Sequence, residues 1–273
     1  MRTLKFGVKS SEVYYLNELL LKLNYAIIVS EDFGNETDKA VKDFQLKNNL
    51  VVDGIVGLKT WTALFQKTNG NLASDKFLSE QNLIEFSNNH NLELAIVKAV
   101  NLIESNGKGF LLSGKPKILF EGHIFWRELE KRNINPAHYA DANTQNILYK
   151  SYTKQYYVGG EGEYDRLEKA MQIQPDKNFS DAANCSASWG LFQIMGFNAI
   201  SLGYQDIDEF VAKMYMNEAE HLRAFGLFLE KNNLITTLRN KNWAEFALRY
   251  NGSAYKSNKY DEKLKSAYDK FSS

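Results

Sequence analysis

Two carboxylates in this chain stand where an acid would be kept from water. The first is Glu104, at the end of Leu94-Ala95-Ile96-Val97-Lys98-Ala99-Val100-Asn101-Leu102-Ile103-Glu104. That stretch reads as a helix apolar nearly all round, and such a helix belongs inside a protein. Asn106-Gly107 follows and suits a helix C-cap. Desolvation at the end of a buried helix disfavours the ionised form and raises the pKa, as a general acid near neutral pH requires. Taken alone, Glu104 could equally be a surface group at a helix terminus. The second carboxylate is Glu121, which stands with His123 among Ile118, Leu119, Phe120, Ile124, Phe125 and Trp126. Polar groups in such company are either hydrogen-bonded or functional. Glu121 is read as functional or as a structural acid bonded to backbone or to His123, and His123 is read as support.

Two further stretches could meet a ligand. Ala187 to Phe197 is too apolar for an ordinary loop, and Gln193 is its only strongly polar side chain between Trp189 and Gly196. If this run lines a cleft, the Gln193 amide can contact a neutral polar ligand, with Ser188 at its edge. Tyr250-Asn251-Gly252 ends a helix striped by Trp243, Ala244, Phe246 and Ala247, with Gly252 as a natural C-cap. Tyr250 fits core packing as well as ligand contact. Other chemistries find less support. A zinc hydrolase needs about three ligands at set spacing. His90, His123, His138 and His221 are scattered, and Glu218-x-x-His221 is helix-spaced but occurs once and is expected to face solvent. The single cysteine, Cys185, lies between Asn184 and Ser186 in what reads as a polar loop, a structural rather than nucleophilic setting. No metal or other cofactor is expected.

Two domains must position these groups. Residues 1–67 carry helical stripes at Val13, Leu16, Leu19, Leu20 and Leu23, at Ala40, Val41, Phe44 and Leu46, and at Trp61, Leu64 and Phe65. Ser10 or Ser11 can cap the first helix. Phe33-Gly34-Asn35-Glu36-Thr37 and Val56-Gly57-Leu58-Lys59-Thr60 repeat one pattern, a glycine turn before a threonine able to cap the next helix. Residues 68–76 are polar and read as a linker. From 77 to 273 the chain is mostly helical. Lys117 to Phe120 is expected as a short strand, 133–163 as an irregular excursion, and Tyr164 to Ile173 as a helix. Phe210 to Glu230 reads as one long amphipathic helix, and Tyr260 to Phe271 as a final docking helix.

The composition narrows the partners. Of 273 residues, 44% are hydrophobic, enough for a real core, and the formal net charge is zero. No basic excess points to nucleic acid or an anionic membrane. One cysteine permits no intramolecular disulfide. No window reaches the length of a membrane-spanning helix, and Met1 to Gly7 lacks a signal-peptide apolar run, so a chain made in the cytoplasm without stable membrane insertion is expected.

These residues carry resemblances. Gly7 and Val13, Ala40-Val41-Lys42-Asp43-Phe44-Gln45, and Val52-Asp53-Gly54-Ile55-Val56-Gly57-Leu58-Lys59-Thr60-Trp61 resemble the three-helix peptidoglycan-binding domain of wall hydrolases. Asp32-Phe33-Gly34 departs from that family's longer Asp-Gly-x-Phe-Gly turn. Ile103-Glu104-Ser105, Gly190-Leu191-Phe192-Gln193-Ile194-Met195 and Tyr250-Asn251-Gly252 resemble, in order and spacing, goose-type lysozymes and soluble lytic transglycosylases. Leu94 to Tyr268 is more similar still to the phage N-acetylmuramidase domain, and the two domains together resemble a modular phage endolysin.

The resemblance implies a mainly α fold: a small three-helix peptidoglycan-binding domain, then a larger α-rich lysozyme-like domain with a small β-hairpin. It implies Glu104 as the acid and a cleft walled by the Gln193 hairpin and closed by Tyr250-Asn251. Glu121 becomes the candidate second carboxylate, and Ser188, Gln193, Tyr250, Asn251 and His123 the candidate sugar contacts. The implied partner is bacterial peptidoglycan, met by a monomer acting in the periplasm after release through a separate holin-type pore. A lytic transglycosylase, using Glu104 alone, and a non-catalytic wall-binding protein are the alternatives.

Overall fold

The computed structural model describes residues 3–48, 52–69, 76, 78, 80–105, 109–111 and 113–272. The Asn106-Gly107 cap and most of the stretch read as linker lie outside these residues. The chain divides into two compact units, Met1–Phe77 and Leu78–Ser273.

The first unit packs α1 (Ser11–Lys22), α2 (Asn35–Lys47) and α3 (Leu58–Asn69) around Leu16, Leu20, Phe33, Val41, Trp61 and Leu64. Helix α3 thus runs two residues into the stretch read as linker. Ser10 holds the N-cap position of α1 without a side-chain capping bond. The repeated threonines do not cap either. Thr37 lies inside α2 and donates to Asn17 Oδ1 at 2.8 Å, while Thr60 lies inside α3 and accepts from Gln45 Nε2 at 3.2 Å. Asn17 and Gln45 are buried amides on the preceding helices. The repeat therefore encodes a buried amide–hydroxyl joint between successive helices, which satisfies polar groups that would otherwise be costly inside a small core.

The second unit is built from α4 (Glu80–His90), α5 (Leu94–Glu104), β1 (Ile118–Phe120), α6 (Gly122–Lys131), α7 (Gly162–Met171), α8 (Lys177–Cys185), β2 (Ala187–Trp189), β3 (Ile194–Met195), α9 (Ile207–Met216), α10 (Glu218–Lys231), α11 (Ile235–Arg239), α12 (Trp243–Asn251) and α13 (Tyr260–Ser272). The expected hairpin, β2–β3, gains β1 as a third antiparallel strand, with Leu119 opposite Ser188 and Ser188 opposite Met195. The long helix expected from Phe210 to Glu230 is two helices. Asn217 breaks it with extended backbone (φ −165°, ψ 170°), and its side chain caps α10 by accepting from Glu220 N–H. Cys185 is the buried last residue of α8, not a loop residue. Among the described residues no helix is long and apolar enough to cross a membrane.

Aromatic packing sets the position of the site. Phe225 of α10 stacks on Phe192, at the β2–β3 turn, with ring centroids 4.2 Å apart and planes 11° apart. The same ring meets Tyr250 of α12 edge-on at 5.5 Å. One core side chain thus holds both the strand turn and the end of α12. Helix α13 packs along α5, joined at its start by Tyr268 donating to Glu93 at 2.6 Å.

Beside the sheet lies a fully buried ion pair. Glu163 accepts from Arg166 Nη1 at 2.7 Å, and also from the N–H groups of Phe120, Val158 and Gly159. Arg166 donates onward to the carbonyls of Phe120 and Asn146. Replacing one partner of such a pair leaves an uncompensated buried charge. Arg166→Met is therefore expected to cost about 3–5 kcal/mol of stability, read as a lowered midpoint in urea unfolding followed by circular dichroism.

Candidate active site

Glu104 closes the last turn of α5 and is half-buried. Its Oε2 accepts a hydrogen bond from Asn251 Nδ2 at 2.9 Å, and its Oε1 is buried without a partner among the described residues. Burial pushes the carboxyl up to about 7, while the Asn251 hydrogen bond pulls in the other direction by favouring the anion. Among the described residues no charged group is a cause of the shift. Desolvation by an apolar helix end is thus the cause, as the sequence around Glu104 suggests.

Asn251 reaches Glu104 because α12 ends there. Gly252, at φ +82°, terminates α12, and its N–H bonds to Leu248 O at 3.0 Å. Two more buried acceptors share the neighbourhood: Asn251 Oδ1, and Asn101 Oδ1 one helical turn before Glu104 on the same face of α5. Neither has a partner among the described residues. Sequence reading missed Asn101. Its signal was the spacing of three residues from Glu104.

The Gln193, Ser188 and Tyr250 side chains, expected to meet sugar, make hydrogen bonds within the protein. Gln193 sits at φ +51° in the β2–β3 turn. Its Nε2 donates to Gly190 O at 2.7 Å and Lys117 O at 3.1 Å, and its Oε1 accepts from Ser188 Oγ at 2.9 Å. Both amide donors are occupied within the sheet, as is the Ser188 hydroxyl. Tyr250 donates its hydroxyl to Phe192 O at 3.1 Å, and its ring stacks on Phe246. Burial, with Glu104 and Tyr260 adding, holds its phenol well above the ordinary range. These bonds link Asn251, by way of its neighbour Tyr250, to the turn carrying Gln193.

Glu218 and His221 face inward, against expectation. Glu218 accepts from Leu78 N–H and Gly109 N–H, both at 2.9 Å. His221 Nδ1 accepts from Leu191 N–H at 3.0 Å, and its Nε2 lies 2.7 Å from Met214 O, which places the ring proton on Nε2. Gly190 turns at φ +72° against that ring, and a Cβ there would lie 2.8 Å from it. Non-local backbone N–H groups require acceptors at this point, and the i, i+3 spacing of Glu218 and His221 supplies them.

Glu121 and His123 share no hydrogen bond with the Glu104 cluster among the described residues. Glu121 holds the N-cap position of α6 just after β1 and accepts from the Tyr157 hydroxyl at 2.6 Å. Burial raises its carboxyl above the usual range, opposed by that hydrogen bond and by Arg166, with Glu163 adding to the rise. Burial and Arg127 lower the His123 imidazole. The excursion before α7 supplies Tyr157, which sequence reading also missed.

Residues 9–64 match the peptidoglycan binding domain model. Among curated proteins no match is found. Among solved structures, the crystal structure of a Burkholderia AP3 phage endolysin is 37% identical over 99% of each chain, with a TM-score of 0.70. The N-acetylmuramidase model matches residues 93–272 and takes in every residue of the site just described, and the chain belongs to the N-acetylmuramidase family.

Proposed function

We propose that the chain is an endolysin that cleaves the glycan strand of bacterial peptidoglycan between N-acetylmuramic acid and N-acetylglucosamine, with Glu104 as general acid. The observation that carries this is the desolvated Glu104 carboxyl, held up to about 7 with a single hydrogen bond from the described residues. A glycosidic bond breaks when a carboxylic acid protonates the leaving oxygen as positive charge builds on the sugar. Glu104 retains its proton close to neutral pH, and Asn251 then stabilises the carboxylate that remains. The three acceptors without protein partners, on Asn101, Glu104 and Asn251, suit the hydroxyl and amide donors of an N-acetylated sugar.

Gln193, Ser188 and Tyr250 serve as braces of the cleft wall rather than as sugar contacts, because their donors are engaged inside the protein. The first unit holds the enzyme on its polymer and raises the local concentration of bonds to be cut. In this reading the enzyme acts as a monomer on the periplasmic wall, which it reaches through a pore made by another protein.

Glu104→Gln is expected to lower lysis of purified sacculi by roughly 10²- to 10⁴-fold, with sedimentation of the protein with sacculi unchanged. Lysis at the parent rate would overturn the assignment. Hydrolysis should leave reducing ends one water heavier than 1,6-anhydro ends, and anhydro ends seen by mass spectrometry would oppose hydrolysis.

The acid must be protonated to act, so kcat/KM should fall as pH rises through about 7. Stability follows the same proton. A folded-state pKa above the ordinary 4.5 gives stability that is complete below pH 4.5 and lost as pH rises through about 7. Glu104→Gln escapes that loss. It should exceed the parent by up to about 3 kcal/mol at pH 8 and show no such advantage at pH 4, measured by urea unfolding at both pH values.

A further inference from the structure

A second group of polar atoms in the larger unit lies outside the machinery around Glu104. Glu121 Oε2 faces His123 Nδ1 at 3.3 Å, but the two make no aligned hydrogen bond. Both atoms are buried and lack a hydrogen-bond partner among the described residues, and the His123 side chain is 10% exposed. Such atoms are costly unless a ligand completes them. Around them stands an aromatic rim. Tyr157 is fixed on Glu121, and its loop is pinned where Val158 and Gly159 donate to Glu163. The His123 ring lies nearly parallel to Tyr149 and edge-on to Tyr152, with centroids at 6.3 and 5.3 Å. Tyr152 is 59% exposed.

Among the described residues no hydrogen bond joins this group directly to Glu104. Contacts from Glu104 run through Asn251 and Tyr250 to the β2–β3 turn, where Gln193 bonds Lys117. Glu121 follows β1 directly, four residues beyond Lys117. The charges acting on Glu121 are Arg166 and Glu163, not Glu104. A carboxyl held by Tyr157 and influenced by these charges rather than by Glu104 suits recognition of a neighbouring sugar better than a shared water.

We infer that Glu121, His123, Tyr157 and Tyr152 form a glycan subsite distinct from the Glu104 cluster, which takes a neutral hydroxyl or acetamido group under the Tyr152 ring. The inference rests on the glycan-cleaving reading above. A sugar ring is apolar on its C–H faces and polar at its edge, which matches an open aromatic ring beside buried hydrogen-bonding atoms. Charge decides against a cationic ligand, such as the free amine of a stem peptide. Arg166 acts on Glu121 and Arg127 on His123, and burial disfavours the charged form of both.

The test is steady-state kinetics of the full chain and its Glu121→Gln and Tyr152→Ala variants on two substrates, intact sacculi and glycan strands stripped of stem peptides. Both variants are expected to raise KM about tenfold with kcat within about twofold, on both substrates. A kcat that falls in step with kcat/KM in Glu121→Gln would place Glu121 in the chemistry and overturn the subsite. An unchanged KM would overturn it too, and so would a KM effect confined to peptide-bearing sacculi, which would identify a stem-peptide ligand. Tyr152 is exposed, so Tyr152→Ala decides the matter if Glu121→Gln does not fold. Glu104→Gln, run in the same series, reports separately on the catalytic reading, because it should abolish turnover whether or not the subsite exists.

Discussion

The larger unit is organised around the cost of desolvating one carboxylate. A carboxyl in water is ionised at neutral pH. Glu104 resists ionisation because an apolar helix carries it to the edge of the core and leaves it one hydrogen bond from the described residues. That state is unfavourable by itself, so the surroundings must fix it. Helix α13 packs along α5, and the stack of Phe192, Phe225, Tyr250 and Phe246 sets the end of α12 against the strand turn. These apolar contacts hold Asn251 in reach of Glu104.

The polar groups of this unit fall into two populations, and pairing separates them. Gln193, His221, Glu218 and Glu163 are engaged by backbone or side-chain partners. They join segments far apart in sequence and leave little for a ligand. Atoms of Asn101, Glu104, Asn251, Glu121 and His123 are buried without such completion. Proteins rarely leave buried polar atoms unpaired. The first population therefore reads as scaffold, and the second, with His90 and Tyr204, is left incomplete by the described residues.

This division explains what was legible in the sequence. The α5 helix was legible because its apolar residues leave no other place for it, and Glu104 followed from its position. The two domains and the three islands at Glu104, Gln193 and Tyr250 were legible through motif resemblance. The use of Gln193 was not. An amide in an apolar run shows that hydrogen bonds exist, but not whether its partner is a sugar or the carbonyl of Lys117, 76 residues away. Glu218 and His221 were read as solvent-facing for the same reason, since their partners Gly109 and Leu191 come from remote segments. The break at Asn217 was hidden by apolar periodicity that continues across it. Thr37 and Thr60 looked like caps because the motif Gly-x-x-Thr gives spacing alone and says nothing of Asn17 or Gln45 across the helix pair.

The bond between Asn251 and Glu104 joins residues 147 positions apart. A ribosome adding 5–20 residues per second makes the acid on the order of 10 s before the amide that fixes it. Throughout that interval Glu104 has no Asn251 amide to bond. The pairing of Glu104 with the end of α12 is thus a late product of synthesis, and a chain interrupted before residue 251 carries the carboxylate without the amide that bonds it.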